Sequence, residues 1–567
     1  MHPSCSKGSA NLGQPVPSPL IYTGQGVMRT SIFPLRLASP ETRSRDLLVE
    51  TKPSPIPSPE PSDPEFFLHK YAPCIIAGLC LYAALRILAF AAAFPLFGFN
   101  DEEQHFLTIQ MYADGQLPGR ELPPIPLDFA AQFVPYWSPE YTYSQQYLDA
   151  YGPHIPPYRI PPDARSAAYQ QEFYRKKIAD LSAGKNFEAQ APPFYYLVAA
   201  LWYRVGSSLG LKTWALAYWL RFLNSVLYAL FVWLSYKFLR HLFPQRAFLH
   251  IGVPLLIAVF PQDVFFAMNR DVLSAPLAAA ALLLMIKAMD RDAGYRFLLL
   301  ASCTVGFSFL TETSNCVLFG ALVVTLWFWS HRARVPGSKK INTVVASLFL
   351  ATLLPLLWML RNGLVMSDPT GSKAKIAALG WTTKPLPELF HHPLFSWQAL
   401  SYFLPQLIRT FWHGEYMWHG HWMRSSAVDW FYISSTTLMI AIFLVQVIRS
   451  RNQLSPLQRL ASFQSISLLA ASILFLATIS LLFDFHDCIM PSRLHPFFIN
   501  GRIASGALLP FALAYMIGLE TLLNYFRNWI QPTAVLLYLA IFITTAEIVI
   551  RMPAFLSPYN FFHIAAF

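Results

Sequence analysis

The chain has 567 residues, of which 54% are hydrophobic and 15% aromatic but only 13% charged, about half the charged share of an ordinary soluble domain. That balance excludes a soluble enzyme, because apolar runs such as 72–97, 214–236 and 460–483 reach the roughly 20 residues that cross a bilayer. The formal net charge of +11 is scattered over connectors without forming a stripe, which argues against nucleic acid as a partner and leaves membrane lipids as the surroundings.

Residues 1–66 are polar and rich in proline and serine, and they end in Pro-Ser-Pro-Ile-Pro-Ser-Pro-Glu-Pro. Prolines remove backbone donors and favour extended conformations, so a disordered tail is expected there. No short apolar segment with a cleavage site precedes the first long run, which is expected to serve as its own targeting signal. Eleven apolar stretches then follow: 72–97, 214–236, 248–265, 272–286, 297–310, 316–330, 344–360, 430–447, 460–483, 503–523 and 533–550. They predict an all-α, polytopic transmembrane helix bundle of about eleven spans, within a range of ten to thirteen. The six cysteines show no CxxC pair and no zinc spacing, and they read as small apolar residues.

A twelfth stretch, 190–206, opens with Ala191-Pro192-Pro193 and carries Arg204. If it lies in the interface instead of crossing, the connectors 237–246, 287–296, 331–340, 449–459 and 524–528 share one side. Those connectors hold most of the short-loop Lys and Arg, which accumulate on the cytoplasmic side. The N-terminus is then cytoplasmic, and the connectors 98–190, 260–271, 311–315, 362–429 and 484–501 face outward. The expected organisation is a tail over 1–66, a membrane domain over 67–550 and a short outer tail over 551–567. The domain carries a long first outer loop (98–190) with interfacial helices and a second outer loop (362–429). The chain lacks any Asn-x-Ser/Thr site, which fits a bacterial inner membrane.

The polar residues suited to chemistry fall on the outward connectors. Asp101-Glu102-Glu103 directly follows the first span, and three adjacent acids raise at least one pKa. A carboxylate there can act as general base or hold a divalent metal, with Asp101 and Glu102 as the ligands. The same acids can also mark the watery end of a span, and the local sequence leaves the two readings level. His105, four residues after Asp101, shares its face if the segment is helical. Glu188-Ala-Gln190-Ala-Pro192-Pro193-Phe-Tyr195-Tyr196 reads foremost as an interfacial anchor. Asn269-Arg270-Asp271 places ionisable groups at a span mouth, where they tend to mark function, although Asp271 can also cap the next helix. Arg493 and Arg502 lie before and at an outer span start, where a guanidinium can grip phosphate. Arg86, fifteen residues before Asp101 and so roughly 22 Å deeper along a helix, is expected to pair inside the bundle. Residues 389–424 hold four tryptophans and five histidines, including His419-Gly-His421, which read mainly as interface or stacking groups and less as metal ligands.

In this order the motifs resemble the glycosyltransferase C superfamily, multi-span enzymes that use polyprenyl-phosphate sugar donors. The likeness is nearest to membrane proteins related to the protein O-mannosyltransferases and the lipid A aminoarabinose transferase, and it covers roughly 72–523. Asp101, Glu102 and His105 match the acidic motif after span one. Pro192-Pro193-Phe-Tyr195-Tyr196 matches an element before span two, Arg221 an arginine opening that span, and Asn269-Arg270-Asp271 an Asn-x-Asp turn. Two positions depart: a Leu-Thr-Lys element reads Leu310-Thr311-Glu312, and a Gly-Arg-Tyr element reads Gly501-Arg502-Ile503.

The resemblance implies an inverting transfer of sugar from a polyprenyl-phosphate donor to an extracytoplasmic glycan, lipid or protein. Asp101 would be the base or hold a divalent metal ion, supported by Glu102 and His105. Arg502, with Arg270 or Arg493, would take the leaving phosphate, and Asn269, Asp271, Gln190, Tyr136 and Trp137 would contact substrate. The alternatives are a transporter or lipid flippase, and a scaffold of an envelope-polysaccharide pathway that has lost catalysis, which Glu312 keeps open.

Overall fold

The computed structural model describes residues 64–98, 101–160, 168–290, 294–486, 488, 491–526, 529 and 531–566. The expected tail lies outside them except for Pro64–Phe66, which already belong to the first helix. Helix α1 (Pro64–Ala93) is followed by α2 (Glu102–Ala113) in the first loop and, after that loop, by α3 (Phe194–Ser208). The chain continues through α4 (Thr213–Leu242), α5 (Ala247–Ala258), α6 (Asp271–Lys287), α7 (Gly294–Phe309), α8 (Val317–Arg332) and α9 (Gly337–Met366). The second loop holds α10 (Trp397–His413). Then come α11 (Ser426–Arg449), α12 (Pro456–Leu482), α13 (Leu508–Tyr525) and α14 (Pro532–Leu556). Sheet among the described residues is limited to two antiparallel pairs, Thr382–Thr383 with Phe483–Asp484 and Met417–Trp418 with His421–Trp422.

Each of the eleven predicted spans corresponds to one helix. Among the described residues, eight helices are long and apolar enough to cross a membrane by length and composition. The other three, α5, α6 and α7, have 12, 17 and 16 residues. At 1.5 Å per residue, α5 rises only about 18 Å. The prediction of 248–265 as one span overshot because Pro261 lacks an N–H and turns its predecessor away from helix. The chain leaves helix after Ala258 and forms a short 3-10 turn at Asp263–Phe266.

Burial sorts the helices. Most side chains of α5 and α6 are buried. By contrast, the apolar windows of α9 and of the helix pair 532–564 are only 22% and 17% buried. Leu348, Phe349, Leu356, Leu357, Leu360 and Leu364 of α9 all stand exposed. An apolar face of that extent has no counterpart on a water-soluble monomer and is satisfied by lipid tails. This is an integral, multi-pass membrane protein.

Helix α3, with 15 residues, is not among the helices long and apolar enough to cross. At its start Phe194 N–H donates to the Leu310 carbonyl at 2.9 Å. Beyond its end, Thr213 accepts from the Gln132 side chain of the first loop at 3.0 Å. Leu197, Leu201, Val205 and Leu209 form an exposed stripe at helical spacing, as an interfacial helix requires. Near the end of α4, Arg246 pairs with Glu520 of α13, His241 with Asp290 at 3.4 Å, and Gln458 donates to the Leu242 carbonyl.

Arg86 does pair inside the bundle. It meets Glu547 of α14 through two N–H bonds of 2.8 and 2.5 Å, and it also donates to the Phe260 carbonyl at 3.0 Å. Breaking one side of such a pair leaves an uncompensated charge at a cost of about 3–5 kcal/mol, whereas removing both partners is mild. Glu547→Leu therefore lowers the melting temperature in detergent strongly, and adding Arg86→Leu restores most of the loss. Equal melting of wild type and the single variant would contradict this assignment.

Candidate active site

The acidic end of the first span is organised around one ion pair. After α1 the chain turns through Phe97 and Asp101, whose φ values of 58° and 61° are left-handed. Glu102 opens α2 and faces Arg221 of α4 in a bidentate pair of 2.6 and 2.5 Å, with both side chains fully buried. The backbone N–H groups of Phe97 and Met268 also donate to Glu102, each at 2.9 Å. Arg221 in turn donates to the carbonyls of Ala91, Phe94 and Pro95. One carboxylate thus ties the end of α1, the start of α2, α4 and the turn before α6.

Beside this knot lie two arginine clusters. Arg270 precedes α6, with Nε on Glu312 and Nη1 on Glu188 at 2.7 Å. Glu188 is also met by Lys375 of the second loop and accepts from the Tyr196 hydroxyl at 3.3 Å. Against the opposing effect of burial, Arg270 and Lys375 hold the Glu188 carboxyl well below the usual range. The Tyr196 oxygen sits 2.8 Å from His105 Nδ1. Burial lowers His105 to about 4, so its ring is neutral at pH 7.

Arg502 binds Asp271 through Nη1 at 2.7 Å and approaches Glu415 through Nε at 3.5 Å. Asn500 holds the same Glu415 oxygen at 3.0 Å. Asp263 accepts from the amides of Glu415 and Tyr416 at 2.8 Å each and so fixes that turn. Burial pushes the Asp263 carboxyl up to about 7. Gly414 has φ 85°, and a Cβ there would lie 1.8 Å from Asp263 Oδ1, so glycine is required. The side chains of Arg270 and Arg502 retain 16% and 17% exposure, and in each the acids engage Nε and Nη1 but not Nη2. Asp101 is partly buried and acts electrostatically on Arg502, His105 and Glu103.

The family described as "Predicted membrane protein (DUF2142)" matches residues 85–484. The chain belongs to that family. Three solved structures are similar to this DUF2142 protein. One is an oligosaccharyltransferase of Archaeoglobus fulgidus in complex with Zn and sulfate (14% identity, 64% of this chain, 44% of that one, TM-score 0.33). The second is ArnT of Cupriavidus metallidurans bound to undecaprenyl phosphate (15% identity, 84% and 71% coverage, TM-score 0.39). The third is AglB of Archaeoglobus fulgidus with an inhibitory peptide and a dolichol-phosphate (11% identity, 85% and 56% coverage, TM-score 0.40). The chain thus spans less than two thirds of the length of the two archaeal proteins. No curated protein matches it.

Within the DUF2142 chain, Asp101 acts electrostatically on His105 and Arg502, Arg502 pairs with Asp271, Glu102 accepts from the Met268 N–H, and His105 meets the Tyr196 hydroxyl that reaches Glu188, the partner of Arg270. Other expected site residues are otherwise engaged. Trp137 is 4% exposed with Lys177 Nζ 3.4 Å from its ring centroid, so that face is not offered to a sugar. Tyr136 stacks on Tyr158 at 5.4 Å. Gln190 donates to the carbonyls of Gly119 and Arg120 and braces the first loop. Asn269 caps its own turn by accepting from Asp271 N–H at 2.9 Å. Arg493 is 60% exposed and joins Asp484 and His486 instead of the clusters above.

The Asp101–Glu102 pair does not fit a metal ion. Both Glu102 oxygens already accept from Arg221 and backbone amides, and a second cation there would meet the guanidinium. Among the described residues no group of three His, Cys, Asp or Glu side chains is arranged as a metal site. Sequence reasoning assigned no site role to Glu188 or Asp263 and passed over Lys375 and Glu415. Glu188 carried a usable signal, an acid six residues before an apolar helix. Lys375 and Glu415 lie in the second loop and carried none.

Proposed function

We propose that this protein is a membrane glycosyltransferase that moves a sugar from a polyprenyl-phosphate donor to an acceptor on the face holding Asp101. The observation that carries the reading is the field of Asp101 on Arg502, whose partner Asp271 directly follows Arg270, with Nη2 of each arginine unclaimed by its acids. That pairing suits an inverting displacement. Asp101 takes the proton of the acceptor hydroxyl, the freed oxygen bonds to the anomeric carbon, and the bond from that carbon to the donor phosphate oxygen breaks. The electron pair leaves on the phosphate, where Arg502 and Arg270 stabilise the growing charge. Glu102 acts by holding the start of α2, and His105 by joining Asp101's helix to the Tyr196–Glu188–Arg270 chain. The basic connectors support an extracytoplasmic working face, with a cytoplasmic N-terminus, in a bacterial inner membrane.

The test is transfer from a synthetic polyprenyl-phosphate hexose by the full chain in nanodiscs. Arg502→Gln is expected to lower turnover about 100-fold or more. A variant turning over as fast as wild type would remove Arg502 from the phosphate site. Release of no sugar by wild type to any membrane acceptor or to water would sink the enzyme reading.

A further inference from the structure

Resting on the glycosyltransferase reading, we infer that Glu312 is a built-in competitor for the donor phosphate: its carboxylate occupies Arg270 until the lipid phosphate displaces it. A guanidinium grips phosphate bidentately along one of two edges, Nε with Nη2 or Nη1 with Nη2. In Arg270, Glu312 holds Nε and Glu188 holds Nη1, so each edge is half taken. The local charge points the same way. Glu188, Glu312, Asp271 and Glu415 give four carboxylates, against the three cations Arg270, Lys375 and Arg502. A phosphate added without the loss of an acid would enter an already negative site.

The acids differ in how firmly they are held. Glu188 is 2% exposed at its side chain and has three partners, Arg270, Lys375 and Tyr196. Asp271 sits in a turn closed by Asn269, and its carbonyl accepts from Ser505. Glu415 is held by Asn500 and by the Asp263 bonds to its own amide and the next. Glu312 has Arg270 as its one described side-chain partner, and its side chain is 10% exposed. Its departure frees the Nε–Nη2 edge of Arg270, while Glu188 stays held by Lys375 and Tyr196. Exchange of a carboxylate for a phosphate keeps Arg270 paired throughout, and it lowers affinity for the spent lipid phosphate, which favours its release.

Binding of undecaprenyl phosphate to the full chain in nanodiscs tests this, with neutral undecaprenol as the control. The isosteric Glu312→Gln should bind the phosphate about tenfold tighter and leave undecaprenol binding unchanged. Glu312→Asp, which keeps the charge, should stay near wild type. Unchanged or weaker phosphate binding by Glu312→Gln overturns the inference. If wild type still binds and Arg502→Gln does not, the parent reading survives that result. Failure of every form to prefer the phosphate over the alcohol would sink both.

Discussion

Asp101→Asn lowers sugar transfer by about 1,000-fold and leaves the melting curve in detergent where it was. The substitution isolates the charge because of the backbone at this position. Asp101 sits at φ 61°, ψ 30°, at the start of α2, without a side-chain capping bond. That left-handed conformation is costly for most residues, but asparagine tolerates it as well as aspartate does. Asp101→Ala would mix backbone strain with the loss of the carboxylate. Strained residues tend to persist where they serve a site. Here the strain turns the chain from the end of the first span into α2, with Asp101 near Arg502 and at the mouth of the bundle. Single-turnover transfer at saturating donor separates the two effects, since donor affinity should change little. A rate within about threefold of wild type removes Asp101 as the base.

Arg221→Met has the opposite signature. It strands Glu102 as a fully buried carboxylate with only two backbone N–H donors left. Losing one partner of a buried ion pair costs about 3–5 kcal/mol, a large part of the stability of an ordinary domain. The Ala91 carbonyl also loses its Arg221 donor, and those of Phe94 and Pro95 are left to the Tyr218 and Tyr141 hydroxyls. The expected result is a much lower melting temperature and loss of transfer, because α1, α2, α4 and the turn before α6 lose their common anchor. Adding Glu102→Leu should recover stability without recovering transfer. An unmoved melting curve for Arg221→Met would show that the knot is dispensable.

The two variants divide the acidic motif between adjacent residues. The sequence offers Asp101, Glu102 and Glu103 as near-equivalents, and local chemistry cannot rank them. The fold ranks them by direction. Glu102 points into the bundle and is consumed by Arg221, while Asp101 stays partly exposed beside Arg502. Arg221 and Glu102 are 119 positions apart, beyond what any local pattern encodes. Trp137 shows the same limit: an aromatic in a loop suits a sugar equally well as it suits a core, and only packing placed Lys177 over its ring. The departure at Glu312 was visible in the sequence, but its partner Arg270 was not.

The sequence by itself determined the solvent and the helices of this protein. Span length follows from bilayer thickness, and the placement of Lys and Arg divides the connectors into two sets; both are properties of the chain read in order. Breaks are local too, as at Pro261 and at the Ser455–Gln458 capping box that starts α12. Only the tertiary structure decided which charges meet. Glu188, Arg270, Glu312 and Lys375 come from three separate connectors and a long loop, and Asp263, Glu415 and Arg502 are equally far apart in the chain. Buried charges must be paired wherever the packing leaves them, and packing is not legible one segment at a time.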